Sequence, residues 1–207
     1  RDRSPSRGLG DVYKRQEGYR VETYLFNPTE HLSYDCELNK QRLLGMDKIE
    51  FTEVKDDFVP PTLGDRDVVI DGLFGSGLNR PLSGGFPALV NYINQSGATV
   101  VAIDIPSGLF GEDNRNNESE SIIQANLTLT FSFPKLAFFL PENEQYVGEW
   151  KVLDISLDPY IVENTPTPYS LVEEEDMAAV FQPRSRFSHK GAVSYTHLRA
   201  HETDSYL

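Results

Sequence analysis

Two aspartates, each directly after a short run of β-branched residues, are the first candidates for chemistry in this sequence. Asp71 follows Val-Val-Ile70, and Asp104 follows Val-Val-Ala-Ile103, 33 positions further along. Runs this short predict strands, here strands buried on both faces of a parallel sheet. In such a sheet, ligands bind beyond the carboxyl ends of the strands, where the strand order reverses. We therefore expect both carboxylates to face one crevice.

Small residues next to each aspartate add groups that are suited to binding. Gly75 and Gly77 flank Ser76, so the backbone there can approach a ligand closely and offer its N–H groups. Ser107 lies three residues after Asp104, on a turn that a proline stiffens. A carboxylate, a hydroxyl and backbone carbonyls suit a hard, weakly polarising cation better than zinc or copper.

Each of these features also has a purely structural interpretation. A Gly-x-Gly after a strand is more often a tight turn than a phosphate site, and Asp71 would then cap that turn. A dinucleotide fingerprint needs a further glycine at position 80, which is Arg80. Lys135, beyond the next predicted strand, could neutralise a phosphate, although a solvated lysine is the favoured interpretation. On the residues alone, both kinds of interpretation stay open.

The elements around the aspartates alternate between strands and helices. One helical pattern runs from about Asp35 to Met46, and another begins at Phe86, with apolar residues recurring every three or four positions. Besides the two strands before the aspartates, strand patterns cover residues 19–26, 49–54, 127–133 and 150–155. This alternation predicts an α/β fold, a three-layer αβα Rossmann-like arrangement with a mostly parallel sheet.

The bulk composition limits the class of protein. The 207 residues are enough for one domain with its own core, and the net charge of −13 argues against nucleic-acid phosphates as partners. No apolar run approaches the ~20 residues that a membrane helix needs, so we expect no membrane partner. Cys36 is the only cysteine, which rules out an intrachain disulfide and fits a cytoplasmic location.

Both chain ends differ from the rest of the sequence. Residues 1–16 carry five basic and two acidic side chains, without the apolar segment of a secretory signal. The stretches from Gly8 to Gln16 and from Ser194 to Thr203 resemble translated sequencing adapters. We therefore expect residues 1–16 and 192–207 to be artefactual and to lie outside the fold.

Four short motifs follow one another along the middle of the chain. They are Asp71-Gly-Leu-Phe-Gly-Ser-Gly-Leu78, Asp104-Ile-Pro-Ser-Gly108, Thr128-Leu-Thr-Phe131 with Lys135, and Tyr146-Val-Gly-Glu149 before a strand. Together they resemble the NAD(P)H-hydrate epimerase family, the YjeF N-terminal domain, over residues 17–160. The resemblance implies a Rossmann-like αβα fold and a repair reaction. That reaction interconverts the R and S forms of hydrated NADH or NADPH, which carry a hydroxyl at carbon 6 of the nicotinamide ring.

The resemblance also implies roles for particular residues. Asp71 and Ser107 would be ligands of a potassium ion. Asp104 would contact the substrate and act as the acid–base group, since a carboxyl beside the ring can protonate a leaving hydroxyl and deprotonate the returning water. The residues that would bind the phosphate and sugar region of the substrate are Gly75, Ser76, Gly77, Leu78, Asn79, Arg80 and Pro81.

The sequence departs from the family pattern at its start and ends with a second resemblance. The family's asparagine–glycine loop has no counterpart before Glu17, so we expect a fold that is incomplete at the N-terminus and inactive by itself. Residues 184–191 resemble the start of an ADP- or ATP-dependent NAD(P)H-hydrate dehydratase domain. The expected division is an epimerase domain over 17–170, a linker over 171–183 and the dehydratase start over 184–191, within a bifunctional isomerase and lyase.

Two other functions stay open at the level of the sequence. A dinucleotide-dependent oxidoreductase would need a ribose-binding acid about twenty residues after its glycine fingerprint, and Asp104 lies further on. A nucleotide-binding module without chemistry would not need both aspartates. The expected partners are a small-molecule substrate and potassium, with nucleic acid and membrane excluded and self-association left open.

Overall fold

The strands in the described part of this protein are all paired in parallel. A computed structural model describes residues 19–46, 49–172 and 176–177, and the strand and helix patterns of the sequence are found there. The strands are β1 Glu22–Phe26, β2 Glu50–Val54, β3 Val68–Asp71, β4 Thr99–Ile103, β5 Leu127–Phe131 and β6 Glu149–Leu153. They form a two-stranded sheet, β1-β2, and a four-stranded sheet in the order β3-β4-β5-β6. The predicted α/β class with parallel strands is confirmed.

The helices connect or follow these strands. They are α1 Tyr34–Leu44, α2 Phe86–Gln95, α3 Glu144–Val147 and α4 Pro159–Asn164, with short 3₁₀ turns at Ser119–Ser121, Leu136–Phe139 and Pro141–Asn143. Helix α1 begins where the sequence places it because the Ser33 hydroxyl accepts the Cys36 N–H, 3.3 Å away. Among the described residues no helix is long and apolar enough to cross a membrane.

Two apolar clusters hold the four-stranded sheet. In the first, α2 packs on the sheet through Val90 and Ile93, which are buried with Val100 and Ala102 of β4. The second includes Ile105 and Leu109 and fixes the turn after β4. Its buried members are Ile105, Leu109, Ile122, Ala137, Phe138, Tyr146 and Val147. Burying a large apolar side chain stabilises the folded state by about 1.5–3 kcal/mol. Because Ile105 and Leu109 are buried in this cluster, the turn after β4 is part of the core.

The expectation that β3 is buried on both faces is wrong. Val68 is 61% exposed and Ile70 is 45% exposed, whereas Asp71 is buried. Within the described part of the chain, β3 is an edge strand with β4 as its only neighbour. Alternate side chains point to opposite faces, so Val69 packs against the first cluster while Val68 and Ile70 point to the opposite, exposed face.

The chain divides into two compact units, with the boundary between Leu157 and Asp158. The first unit holds all six strands and α1–α3, and the second holds α4, whose side chains are all exposed. Several expectations of the sequence analysis lie outside the described residues. They concern the adapter-like ends 1–16 and 192–207 and the dehydratase-like segment 184–191.

Candidate functional site

The two aspartates lie at the same edge of the four-stranded sheet. Strands β3 and β4 are neighbours, with Asp71 opposite Ala102, and Asp104 directly follows β4. Strand β5 lies on the other side of β4, with Leu129 opposite Ile103, and the Asp104 N–H donates to the Leu129 carbonyl, 2.8 Å away. Three successive strands therefore deliver their carboxyl ends to this edge, as parallel strands do.

Asp71 and Ser107 are bonded directly to each other. The Ser107 hydroxyl donates to Oδ1 of Asp71 at 2.6 Å, and the Ser107 N–H donates to Oδ2 at 2.7 Å. Both residues are buried, with 3% and 1% exposure. Burial raises the pKa of Asp71, and the hydrogen bonds from Ser107 and from the Leu73 N–H oppose that rise without cancelling it. The carboxylate is thus desolvated and surrounded only by neutral donors.

This pair offers oxygens that fit a weakly polarising cation. Asp71 has no basic partner among the described residues, so its charge in the ionised form is uncompensated. The Ser107 oxygen donates to Asp71 and accepts the Phe74 N–H at 3.0 Å, which leaves one lone pair. In the same part of the chain no group of three or more His, Cys, Asp or Glu side chains is placed to hold a metal. The donors here are those of an oxygen-ligand ion.

Asp104 is held in a different environment. The Lys135 ammonium lies 2.8 Å from its Oδ1, and the Phe131 N–H donates to the same oxygen at 3.3 Å. Burial alone would raise the pKa of Asp104, but the hydrogen bond and charge of Lys135, with smaller contributions from Phe131 and the Ser76 hydroxyl, bring it below its ordinary value. Asp104 is therefore ionised at neutral pH.

Lys135 is a candidate of the sequence analysis whose environment was interpreted wrongly. Its side chain is 17% exposed, so the expectation of a solvated lysine is wrong. Besides Asp104, its ammonium donates to the carbonyls of Phe131 and Phe133, at 3.4 and 3.2 Å. Three acceptors match the three ammonium hydrogens, so Lys135 ties Asp104 to the end of β5. Its position just beyond a third strand end is the feature that made it a candidate, whereas its contact with Asp104 depends on the packing of β5 beside β4.

The backbone at Asp104 is in the left-handed region, with φ of 71°. For a residue other than glycine this conformation is uncommon, and aspartate tolerates it better than most. Residues kept in such conformations cluster at functional sites because the surrounding structure must hold them there. Here the Lys135 and Phe131 contacts do so.

The turn after Asp104 is closed by contacts that only glycine permits. Gly108 has φ of 96°, and a Cβ atom there would overlap the carbonyl oxygen of Ser121. The Gly108 carbonyl accepts the Asn117 side-chain amide at 2.8 Å, and the Ser107 carbonyl accepts the Ile123 N–H at 2.9 Å. The turn is therefore a rigid corner, as its proline predicts.

The glycine loop after β3 lies against Asp104. The Ser76 hydroxyl hydrogen-bonds the Asp104 carboxylate, and a Cβ atom at Gly75 would come within 3.9 Å of Asp104 Oδ2. The predicted binding residues of this loop are mostly exposed, with Leu78 and Pro81 half-buried. The structure thus brings together Asp71, Ser107, Asp104 and the loop Gly75–Pro81.

A parallel α/β sheet with acids at neighbouring strand ends, beside a glycine loop, defines a Rossmann-like protein. The chain belongs to the family described as YjeF-related protein N-terminus, whose family model matches residues 12–137.

Named relatives agree with this family. A bifunctional NAD(P)H-hydrate repair enzyme of Thermofilum pendens is 36% identical over 60% of this chain and 23% of its own length. An NAD(P)H-hydrate epimerase of Limosilactobacillus fermentum is 33% identical over 46% of this chain and 45% of its own length. The chain thus spans less than half of either relative. A crystal structure of yeast ynu0 superposes with a TM-score of 0.49 and 13% identity, over 82% of this chain and 84% of that one.

Proposed function

We propose that this chain is the epimerase part of a nicotinamide-nucleotide repair enzyme. It would interconvert the R and S forms of hydrated NADH and NADPH, in a longer cytoplasmic protein that also carries the ADP- or ATP-dependent dehydratase. The observation that carries the proposal is an ionised Asp104, which forms an ion pair with Lys135 at 2.8 Å and lies beside an exposed glycine loop. The chain is also similar to proteins named NAD(P)H-hydrate epimerase. The domain division at 17–170, 171–183 and 184–191 remains part of the proposal.

The reaction needs a proton to move on each face of the ring. The bond between carbon 6 and its hydroxyl oxygen breaks as that oxygen takes up a proton and leaves as water. The ring cation, stabilised by the ring nitrogen, is then attacked from the other face by water, which loses a proton. One proton is taken up and one is released, so the reaction is balanced without a redox step.

The chain's own groups suit this exchange. A carboxylate with a lowered pKa is a better base than acid at neutral pH, so Asp104 would deprotonate the returning water. Lys135, 2.8 Å from it on the same side, would keep Asp104 ionised, and the hydroxyl that leaves from the other face would take its proton from solvent water. In the reverse direction protonated Asp104 would return its proton to a leaving hydroxyl on its own face, so the proposal keeps both the acid and the base role for Asp104.

The remaining site residues would bind and orient the substrate. The residues from Gly75 to Pro81 would hold the phosphates and sugar, as glycine loops after strands do. Pro81 has no N–H and the Leu78 N–H already donates to the Gly75 carbonyl, so the donors would come from the other residues of the loop. Asp71 and Ser107 would hold potassium, whose charge would offset the buried carboxylate. When bound, the ion would shape the pocket and balance charge rather than act as a strong Lewis acid.

Substitution of Asp104 tests the proposal directly. Because asparagine also tolerates a positive φ, Asp104→Asn should keep the turn intact while removing the base. We expect turnover to fall about 10²- to 10⁴-fold, with substrate binding within a few-fold of the unchanged chain. The measurement is loss of the R epimer of hydrated NADPH by chiral chromatography, in this chain and in a chimaera in which it replaces the matched segment of the Thermofilum pendens enzyme.

The chimaera separates the competing functions. Epimerisation by the chimaera, abolished by Asp104→Asn, would support the repair reaction. A folded chimaera that binds the hydrate without turnover would instead identify a nucleotide-binding module. Hydride transfer from reduced coenzyme to an acceptor would identify an oxidoreductase.

A further inference from the structure

The chain makes a tight turn directly after β5, between Phe131 and Phe133. The Phe133 N–H donates to the Phe131 carbonyl at 2.6 Å, which closes a turn around Ser132. The φ of Ser132 is 55°, so this is the γ-turn with a positive φ at its centre, the rare and strained form. The Ser132 hydroxyl oxygen is buried without a hydrogen-bond partner among the described residues. Ser132 therefore contributes its backbone conformation and gains no hydrogen bond from its side chain.

Both carbonyls of this turn accept hydrogen bonds from the Lys135 ammonium. Lys135 donates to the Phe131 carbonyl at 3.4 Å and to the Phe133 carbonyl at 3.2 Å. Its remaining acceptor is Oδ1 of Asp104, 2.8 Å away. Because the turn fixes the two carbonyl oxygens relative to each other, they hold the ammonium in one position, and that position is beside Asp104.

A buried threonine fixes the second of these carbonyls. Thr130, in β5, is fully buried, and its hydroxyl donates to the Phe133 carbonyl at 3.2 Å. The Phe133 carbonyl thus accepts the Thr130 hydroxyl and the Lys135 ammonium, which uses both of its lone pairs. On the neighbouring strand, the Leu153 carbonyl of β6 accepts the Ser132 N–H at 2.9 Å. The turn is therefore anchored to two strands.

We propose that Thr130 and Ser132 are positioning residues, which fix the two carbonyls that hold the Lys135 ammonium beside Asp104. A left-handed serine and a buried hydroxyl without a partner both lower the stability of the fold. Residues that carry such strain cluster at functional sites, where the surrounding structure holds them in place. Thr130 and Ser132 act on the reaction only through Lys135. This inference rests on the role proposed above for Asp104.

The pKa of Asp104 reports the position of the ammonium. Lys135 is the charged group that contacts Asp104 in the described part of the chain, and the neutral contacts come from the Phe131 N–H and the Ser76 hydroxyl. Burial raises the pKa of Asp104, whereas Lys135 lowers it. An ammonium that is held less firmly therefore gives a higher pKa. NMR spectroscopy of the Asp104 carboxyl carbon, identified by its loss in Asp104→Asn, measures this pKa in the whole chain.

Removal of the Thr130 hydroxyl tests the first residue. In Thr130→Val the Phe133 carbonyl loses its buried donor, and we expect the pKa of Asp104 to rise by roughly 0.5 to 1. Thr130→Ser keeps the hydroxyl and should keep the pKa. The matched control is Thr128→Val in the same strand, because Thr128 is equally buried but donates to the Val147 carbonyl at 2.7 Å. A rise in Thr130→Val no larger than that in Thr128→Val would overturn the role of Thr130.

A pair of substitutions at Ser132 tests the turn. Ser132→Gly removes the Cβ atom at a positive φ and the unpaired hydroxyl. It should raise the midpoint of urea unfolding and leave the pKa of Asp104 unchanged. Ser132→Val places a β-branched residue at that φ, so the turn should shift and the pKa should rise as in Thr130→Val. A pKa no higher in Ser132→Val than in Ser132→Gly would overturn the role of Ser132.

These measurements do not depend on turnover. In an active chimaera, the acidic limb of kcat/KM should move to higher pH in Thr130→Val, together with the pKa of Asp104. If the chimaera shows no turnover while the pKa still responds, the proposed function fails and the positioning of Lys135 stands. Turnover by a chimaera in which neither Thr130→Val nor Ser132→Val moves the pKa would overturn this inference alone.

Discussion

Asp71 and Asp104 share one edge of one sheet, yet their environments push their pKa values in opposite directions. Burial raises the pKa of Asp71, while Lys135 keeps the pKa of Asp104 low in spite of partial burial. Divergent pKa values in one site separate the roles of two otherwise identical groups. Asp71 is the carboxylate that needs a counter-ion, and Asp104 is the one that already has it.

The raised pKa of Asp71 predicts a pH- and cation-dependent stability. Folding favours the protonated form, so its stabilising effect is complete below the unfolded value of about 3.9 and is lost as pH rises through the folded pKa. Without potassium, the unchanged chain should therefore lose stability as pH rises through the folded pKa of Asp71. Asp71→Asn should lack this loss, although it is less stable near pH 3 because its amide nitrogen cannot accept a bond that the carboxyl oxygens accept. Thermal melts in tetramethylammonium chloride from pH 3 to 8 measure this.

Potassium should remove that difference. Binding to the folded state raises the melting temperature of the unchanged chain, by about 2–4 °C for each ~1 kcal/mol of binding free energy realised. Asp71→Asn should show no such rise. An equal response of both proteins to potassium chloride would contradict the assignment of the cation to Asp71 and Ser107.

The ion pair with Lys135 predicts a shift in the pH profile of the reaction. In Lys135→Met the hydrogen bond and the positive charge are lost, while burial of Asp104 still raises its pKa. The acidic limb of kcat/KM in the active chimaera should therefore move to higher pH. Lys151→Met, in exposed strand β6, is the matched control. A fall in rate with an unmoved acidic limb would mean that Lys135 does not set the pKa of Asp104.

At the scale of the element, the turn after β4 depends on one glycine. Gly108 and Gly84 both have positive φ, of 96° and 66°. A Cβ atom at Gly108 would overlap backbone, whereas one at Gly84 would meet nothing within 4 Å. Gly108→Ala should cost more than ~4 kcal/mol of unfolding free energy or prevent folding, and Gly84→Ala about 1 kcal/mol. Urea unfolding measures both, and equal costs would mean that the turn can relax.

At the scale of the whole molecule, the formal charge of −13 opposes compaction. Ion pairs such as Arg115–Asp113 and Lys55–Glu30 are exposed and contribute little to stability, so their screening costs little. Adding tetramethylammonium chloride from about 10 to 150 mM shortens the Debye length from ~30 to ~8 Å. The melting temperature should therefore rise and then level off. A fall over this range would show that attractive pairs outweigh the net repulsion.

Local patterns were enough to predict the elements of the fold. The β-branched runs before Asp71 and Asp104 are strands, and the apolar spacing after Gly85 is the helix α2. The exposure of Val68 and Ile70 could not be predicted, because a strand at a sheet edge and one at its centre carry the same short apolar run. The number of neighbours is a property of the sheet and not of the segment.

The sequence by itself determined which groups stand at strand ends: two carboxylates, a serine three residues after one of them, and a glycine loop, each set by local turn chemistry. Only the tertiary structure decided how those groups interact. Because β5 packs beside β4, the Lys135 ammonium forms an ion pair with Asp104, whereas none of the described cations contacts Asp71. Because α1 packs on β2, Lys40 forms an ion pair with Glu53. Charge, burial and hydrogen bonding act through space over a few ångströms, and residues 31 positions apart, such as Asp104 and Lys135, become neighbours only when the sheet forms.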